Sequence, residues 1–113
     1  MLTLDKLRAF GANVEEGLGR CINNEQFYIR LAEKAIADPG FEKLMEAAEK
    51  GDLEQGFAIS HALKGVAANL ALTPLYAPLS EITELFRNKA DVDYVSLVSA
   101  ILAKRDELTR ELT

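Results

Sequence analysis

Residues 52–72 read DLEQGFAISHALKGVAANLAL, and the fold is most legible from this stretch outward. Asp52 is a good N-cap, and no proline or paired glycine interrupts the run, so an α-helix from Asp52 to about Leu72 is expected. At about 100° per residue, with His61 set at zero, Ile59, Leu63, Val66 and Leu70 fall at roughly 140–200°. These four strongly apolar side chains define the expected core stripe, and His61, the only histidine of the chain, faces away from it.

The flanking sequence is punctuated by further helix signals. Asn13 precedes Val14-Glu15-Glu16, and Asn24 precedes a segment through Phe27, Tyr28, Leu31 and Ile36, each an N-cap with acidic residues where the helix dipole favours them. Asp38-Pro39-Gly40 stops that segment and starts the next, with Asp38 as cap and Pro39 at the first position. This helix is expected to run to Lys50, closed by Gly51 in the left-handed conformation. Thr73-Pro74 repeats the cap-plus-proline signal for a helix ending near Asn88 or Lys89. Asp91 is expected to begin the last, whose Tyr94, Leu97, Val98, Ile101, Leu108 and Leu112 follow helical spacing. No segment alternates as a strand would, and connections are short. The expected fold is all-α: an antiparallel up-and-down four-helix bundle with one or two short N-terminal helices, forming a single domain over residues 1–113.

Composition sets the outer bounds. The chain has 113 residues, 49% of them hydrophobic, enough for one packed core and too many for a disordered segment. No apolar run reaches the length a bilayer demands. Asp5, Lys6 and Arg8 interrupt what would be a signal peptide's apolar core, so a cytoplasmic protein without membrane association is expected. With 13 Lys and Arg against 18 Asp and Glu, net charge is −5, and no basic cluster offers itself to nucleic acid. The single cysteine, Cys21, has no partner for an internal disulfide or a zinc site and reads as a small core residue.

Around His61 the strip is unusual. Phe57, Ala58, Lys64, Gly65 and Ala68 lie within about 60° of it, where a solvent-facing strip ordinarily carries Glu, Lys, Gln and Arg. Gly65 inside a helix costs about 1 kcal/mol relative to Ala, which suggests that another backbone or side chain approaches closely there. An imidazole on such a platform can attack phosphorus and form a phosphoramidate. Lys64, at i+3, can reach phosphate oxygens on the ring. No second His or suitable Cys completes a metal site, and Ser60 diverges from His61 by about 100°, which speaks against a serine hydrolase arrangement. Spacing alone leaves two readings of the strip open: a buried helix–helix contact, or an exposed nucleophile.

The run His61-Ala62-Leu63-Lys64-Gly65-Val66-Ala67-Ala68-Asn69-Leu70 resembles the signature of histidine-containing phosphotransfer (HPt) domains. The likeness extends to Val14-Glu15-Glu16-Gly17-Leu18-Gly19-Arg20 and to Phe27-Tyr28 and Leu31, and so covers most of the chain. The resemblance implies that His61 accepts and donates the phosphoryl group, that Lys64 helps hold it, and that Gly65 leaves room for a receiver domain. Phe57, Ala58 and Ala68 join Gly65 as the partner-docking surface. Asn69 matches the family's asparagine, on a face about 80° from His61 that suits hydrogen bonding to orient the site. Two positions depart from the family: Val66 stands where a small hydroxylated residue is common, and Ala71 where Gly is common.

The expected function is therefore a phosphocarrier in a two-component phosphorelay, shuttling phosphoryl groups between receiver-domain aspartates through phospho-His61. It is expected to have no nucleotide site and no cofactor of its own, the divalent cation belonging to the receiver. Partners would be response-regulator receivers or a hybrid sensor histidine kinase, engaged by a monomer. The initial Met and compact length favour a free-standing protein. Alternatives are the histidine module of a chemotaxis-type kinase, and a helical adaptor that binds partners without phosphorylation. A small-molecule enzyme has little support, since no cluster of acid, base and nucleophile accompanies His61.

Overall fold

The computed structural model describes residues 1–112, which form seven α-helices and a final 3-10 turn at Arg110–Leu112, with no strand among them. The helices are α1 (Leu4–Phe10), α2 (Val14–Arg20), α3 (Glu25–Ile36), α4 (Gly40–Lys50), α5 (Leu53–Asn69), α6 (Thr73–Arg87) and α7 (Tyr94–Thr109). The all-α expectation holds, with α1 and α2 as the two short leading helices. Helices α4 to α7 close a ring in which α5 packs on α4 and α6, while α7 packs on α4 and α6. A fifth longer helix, α3, lies against α7 and α2. The core holds Leu44, Leu63, Leu79, Ile82, Phe86, Val98 and Ile101, all buried. Cys21 is buried as well, as its apolar reading requires.

Capping sets most boundaries. The side chains of Asn13, Asn24 and Asp52 accept hydrogen bonds from the backbone N–H groups of Glu16, Phe27 and Gln55, as expected of N-caps. Gly51 closes α4 at φ 67°, also as expected. Asp38 acts from one residue further out than expected: Pro39 precedes the first helical residue, and the Asp38 carboxylate accepts from the Gly40 N–H at 2.7 Å.

Three further boundaries differ from expectation. Helix α5 ends at Asn69, because Ala71 turns left-handed at φ 55° and the Leu72 N–H bonds back to the Ala67 carbonyl. Thr73 is the first residue of α6 and not its cap, and Leu72 before it makes no side-chain cap bond. Helix α7 is capped by Asp93, two residues beyond Asp91. The Ser96 N–H and hydroxyl both donate to the Asp93 carboxylate, while the Tyr94 ring stacks on Phe86 and its hydroxyl reaches the Leu85 and Ala90 carbonyls. Cap and anchor together leave Asp91 outside the helix.

The core face of α5 is also rotated. Gly56, Ser60, Leu63, Ala67 and Leu70 are buried, whereas Ile59 is half-buried and Val66 is 39% exposed. The centre of this face lies about 50° from the stripe expected from apolar strength, on the side of the smallest residues. The reason is steric: a Cβ at Gly56 would stand 2.3 Å from Cε1 of Phe86, so α6 sits where α5 has least bulk. The buried Ser60 hydroxyl is satisfied by donating to the Phe57 carbonyl at 3.2 Å. Val66, expected on the core stripe, therefore lies on the surface.

Candidate functional site

His61 lies on the middle turns of α5 and is exposed, in the sector the rotated core leaves open. No described residue hydrogen-bonds either ring nitrogen. Its one ring contact is with Phe57 one turn earlier, centroids 5.6 Å apart and planes inclined by 27°. This geometry follows from helical side chains leaning toward the N-terminus, over the preceding turn. Phe57 is half-buried at the rim of the α5–α6 cleft, with the Arg87 guanidinium carbon 5.0 Å from its ring centroid. The Arg87 Nε in turn donates to Glu84 at 3.2 Å.

The other strip residues lie where the helical arithmetic puts them. Ala58 and Gly65 are exposed and Ala68 is half-buried. Among the described residues, nothing comes within 4 Å of a Cβ placed at Gly65, so none of them makes the close approach expected there. Lys64 is half-buried and forms no ion pair or hydrogen bond among the described residues, leaving its ammonium group uncommitted about one turn from the imidazole. At the end of the strip the Ala68 carbonyl accepts from Arg20, which is also paired with Glu16 on α2.

Asn69 stands apart. It is exposed at the last turn of α5, about 12 Å along the axis from His61, and makes no hydrogen bond to any described residue. It lines a groove with Leu31, Ala35 and Val66 between α3 and α5, so no contact connects it with the ring. Arg87 escapes sequence reasoning altogether. It lies 26 positions beyond His61 on another helix, and only the packing of α6 on α5 brings it to Phe57.

Chemically, the site offers a solvent-facing imidazole with both nitrogens unengaged, an unpaired ammonium beside it, and a shelf of minimal bulk around it. No acidic side chain orients the ring, and no three His, Cys, Asp or Glu groups converge on a metal position among the described residues. A family model, the Hpt domain, matches residues 28–112. The chain belongs to the Hpt domain family. Hpt domains are helical phosphocarriers that act through a histidine in two-component phosphorelays, interacting with receiver domains and kinases. The matched span contains α4 to α7 and α3 from Tyr28 onward. Helices α1 and α2 precede it, so the Val14–Arg20 likeness falls outside the match. No match was found among curated proteins or among solved structures. No helix among the described residues is long and apolar enough to cross a membrane.

Proposed function

We propose that this chain is a cytoplasmic, monomeric relay protein in which His61 takes a phosphoryl group from the aspartate of one receiver domain and passes it to the aspartate of another. A lone pair on the imidazole forms the N–P bond as the P–O bond to the first aspartate breaks, and its electron pair leaves with the carboxylate. The second transfer reverses this, with the new aspartate as nucleophile. Lys64 supplies positive charge to the phosphoryl oxygens in the transition state and in phospho-His61. Ala58, Gly65 and Ala68 form the shelf on which the receiver rests, with Phe57 rising at one side. The receiver contributes the divalent cation and the remaining catalytic groups.

The single observation that carries this reading is the exposure of His61 with neither nitrogen hydrogen-bonded among the described residues, beside the exposed Ala58 and Gly65. The test is incubation with phosphorylated receivers followed by mapping of the label. Acid-labile, alkali-stable phosphate is expected at position 61. His61→Gln is expected to abolish it while changing unfolding free energy by no more than about 0.5 kcal/mol, since the side chain is exposed. Label persisting in that variant would refute the assignment. Faster labelling from an ATP-binding kinase domain than from any receiver would identify a chemotaxis-type kinase module instead. Receiver binding without any label would identify an adaptor.

A further inference from the structure

His61 has a problem that its exposure creates. A ring free in solvent samples several rotamers, yet in-line attack on phosphorus requires one orientation. Hydrogen bonding to a ring nitrogen is the usual way to fix an imidazole, and no described residue supplies such a bond. What the ring does have is the face of Phe57, stacked at 5.6 Å. Phe57 is in turn held by the half-buried α5–α6 cleft and by the Arg87 guanidinium, 5.0 Å from its centroid and tethered to Glu84. A face contact restrains the plane of the imidazole without occupying either nitrogen.

Resting on the reading of His61 as phosphoacceptor, we propose that Phe57, fixed by Arg87, is the positioning residue for that histidine. Phe57 holds the ring edge-outward so that its nitrogens meet the incoming phosphorus. The ring of Phe57 is not primarily a docking contact. Arg87 acts at one remove, by keeping the phenyl ring in place.

Single-turnover transfer from a phosphorylated receiver, measured across receiver concentrations, separates orientation from docking. Phe57→Leu keeps apolar volume and removes the aromatic face. It is expected to lower the saturating rate about three- to tenfold, with the half-saturating receiver concentration changed less than about twofold. Phe57→Tyr is expected to restore the rate, and Arg87→Lys to stay closer to wild type than Arg87→Gln. Because the chain has one histidine, its NMR ring-proton signals report this stack alone. Those signals are expected to carry a ring-current shift that Phe57→Leu abolishes and Arg87→Gln, an exposed-site variant that leaves the core intact, reduces. An unchanged shift in folded Phe57→Leu, an unchanged transfer rate, or an effect confined to half-saturation would each overturn the proposal. Failure of wild-type protein to accept phosphate from any donor would instead strike the phosphorelay reading. In that case, diethyl pyrocarbonate modification of the sole imidazole still tests positioning, which requires a changed rate in Phe57→Leu.

Discussion

Two glycines on one helix illustrate how differently the same residue type is used. A Cβ at Gly56 would stand 2.3 Å from Phe86, whereas none of the described residues lies within 4 Å of one at Gly65. Gly56 is thus explained by internal packing and Gly65 is not. Gly56→Ala is expected to lower stability by about 1–3 kcal/mol, because the buried Phe86 ring must shift. Gly65→Gln is expected to raise it by several tenths of a kcal/mol through helix propensity, while blocking transfer from a receiver. Urea unfolding and transfer assays on the pair check both statements. Undiminished transfer by Gly65→Gln would remove the shelf from the functional account. Sequence reading singles out Gly65 alone, since the demand on Gly56 comes from a residue 30 positions away.

At the scale of the element, the end of α5 shows a local cost. Ala71 is buried at φ 55°, a conformation that costs an L-residue about 1–2 kcal/mol and glycine nothing. Its carbonyl also accepts from the Asn13 N–H at 2.9 Å, so the turn is tied to the start of α2. A glycine would adopt this conformation without the strain. Ala71→Gly is expected to stabilise the protein by up to about 1 kcal/mol, the gain being reduced by glycine's greater freedom in the unfolded chain, and a lower urea midpoint would contradict it. The same helix shows what a sequence can and cannot disclose. Caps such as Asn13, Asn24 and Asp52 are legible because their hydrogen bonds span three residues. The exposure of His61 is legible because helical geometry is regular. The rotation that exposes Val66 is not, because it depends on where α6 finds room. Nor is Asp93, chosen over Asp91 by Ser96 and by the stacking of Tyr94 on Phe86.

Across the whole molecule, Tyr28 joins segments distant in sequence. Its ring packs beneath Gly17 of α2, and its hydroxyl donates to the Leu70 carbonyl at 2.9 Å beyond the end of α5. Burial, followed by the nearby Cys21 and Glu15, pushes the phenol up to about 12. The folded state therefore holds this proton more tightly than the unfolded chain, which releases it near the ordinary value of about 10. The resulting stabilisation is complete below about pH 10 and is lost as pH rises toward 12. Tyr28→Phe is expected to cost about 1–2 kcal/mol at neutral pH by leaving the Leu70 carbonyl unpaired, and to flatten the alkaline decline. Parallel pH curves for the two proteins would refute this account. A different consequence follows, for the proposed relay, from its having a single imidazole. Donor and acceptor would both have to sit over one ring, so no ternary complex can form. In the proposed relay the loaded carrier would shed its first visitor before meeting the second, and surplus unphosphorylated donor is expected to act as a competitive inhibitor of onward delivery.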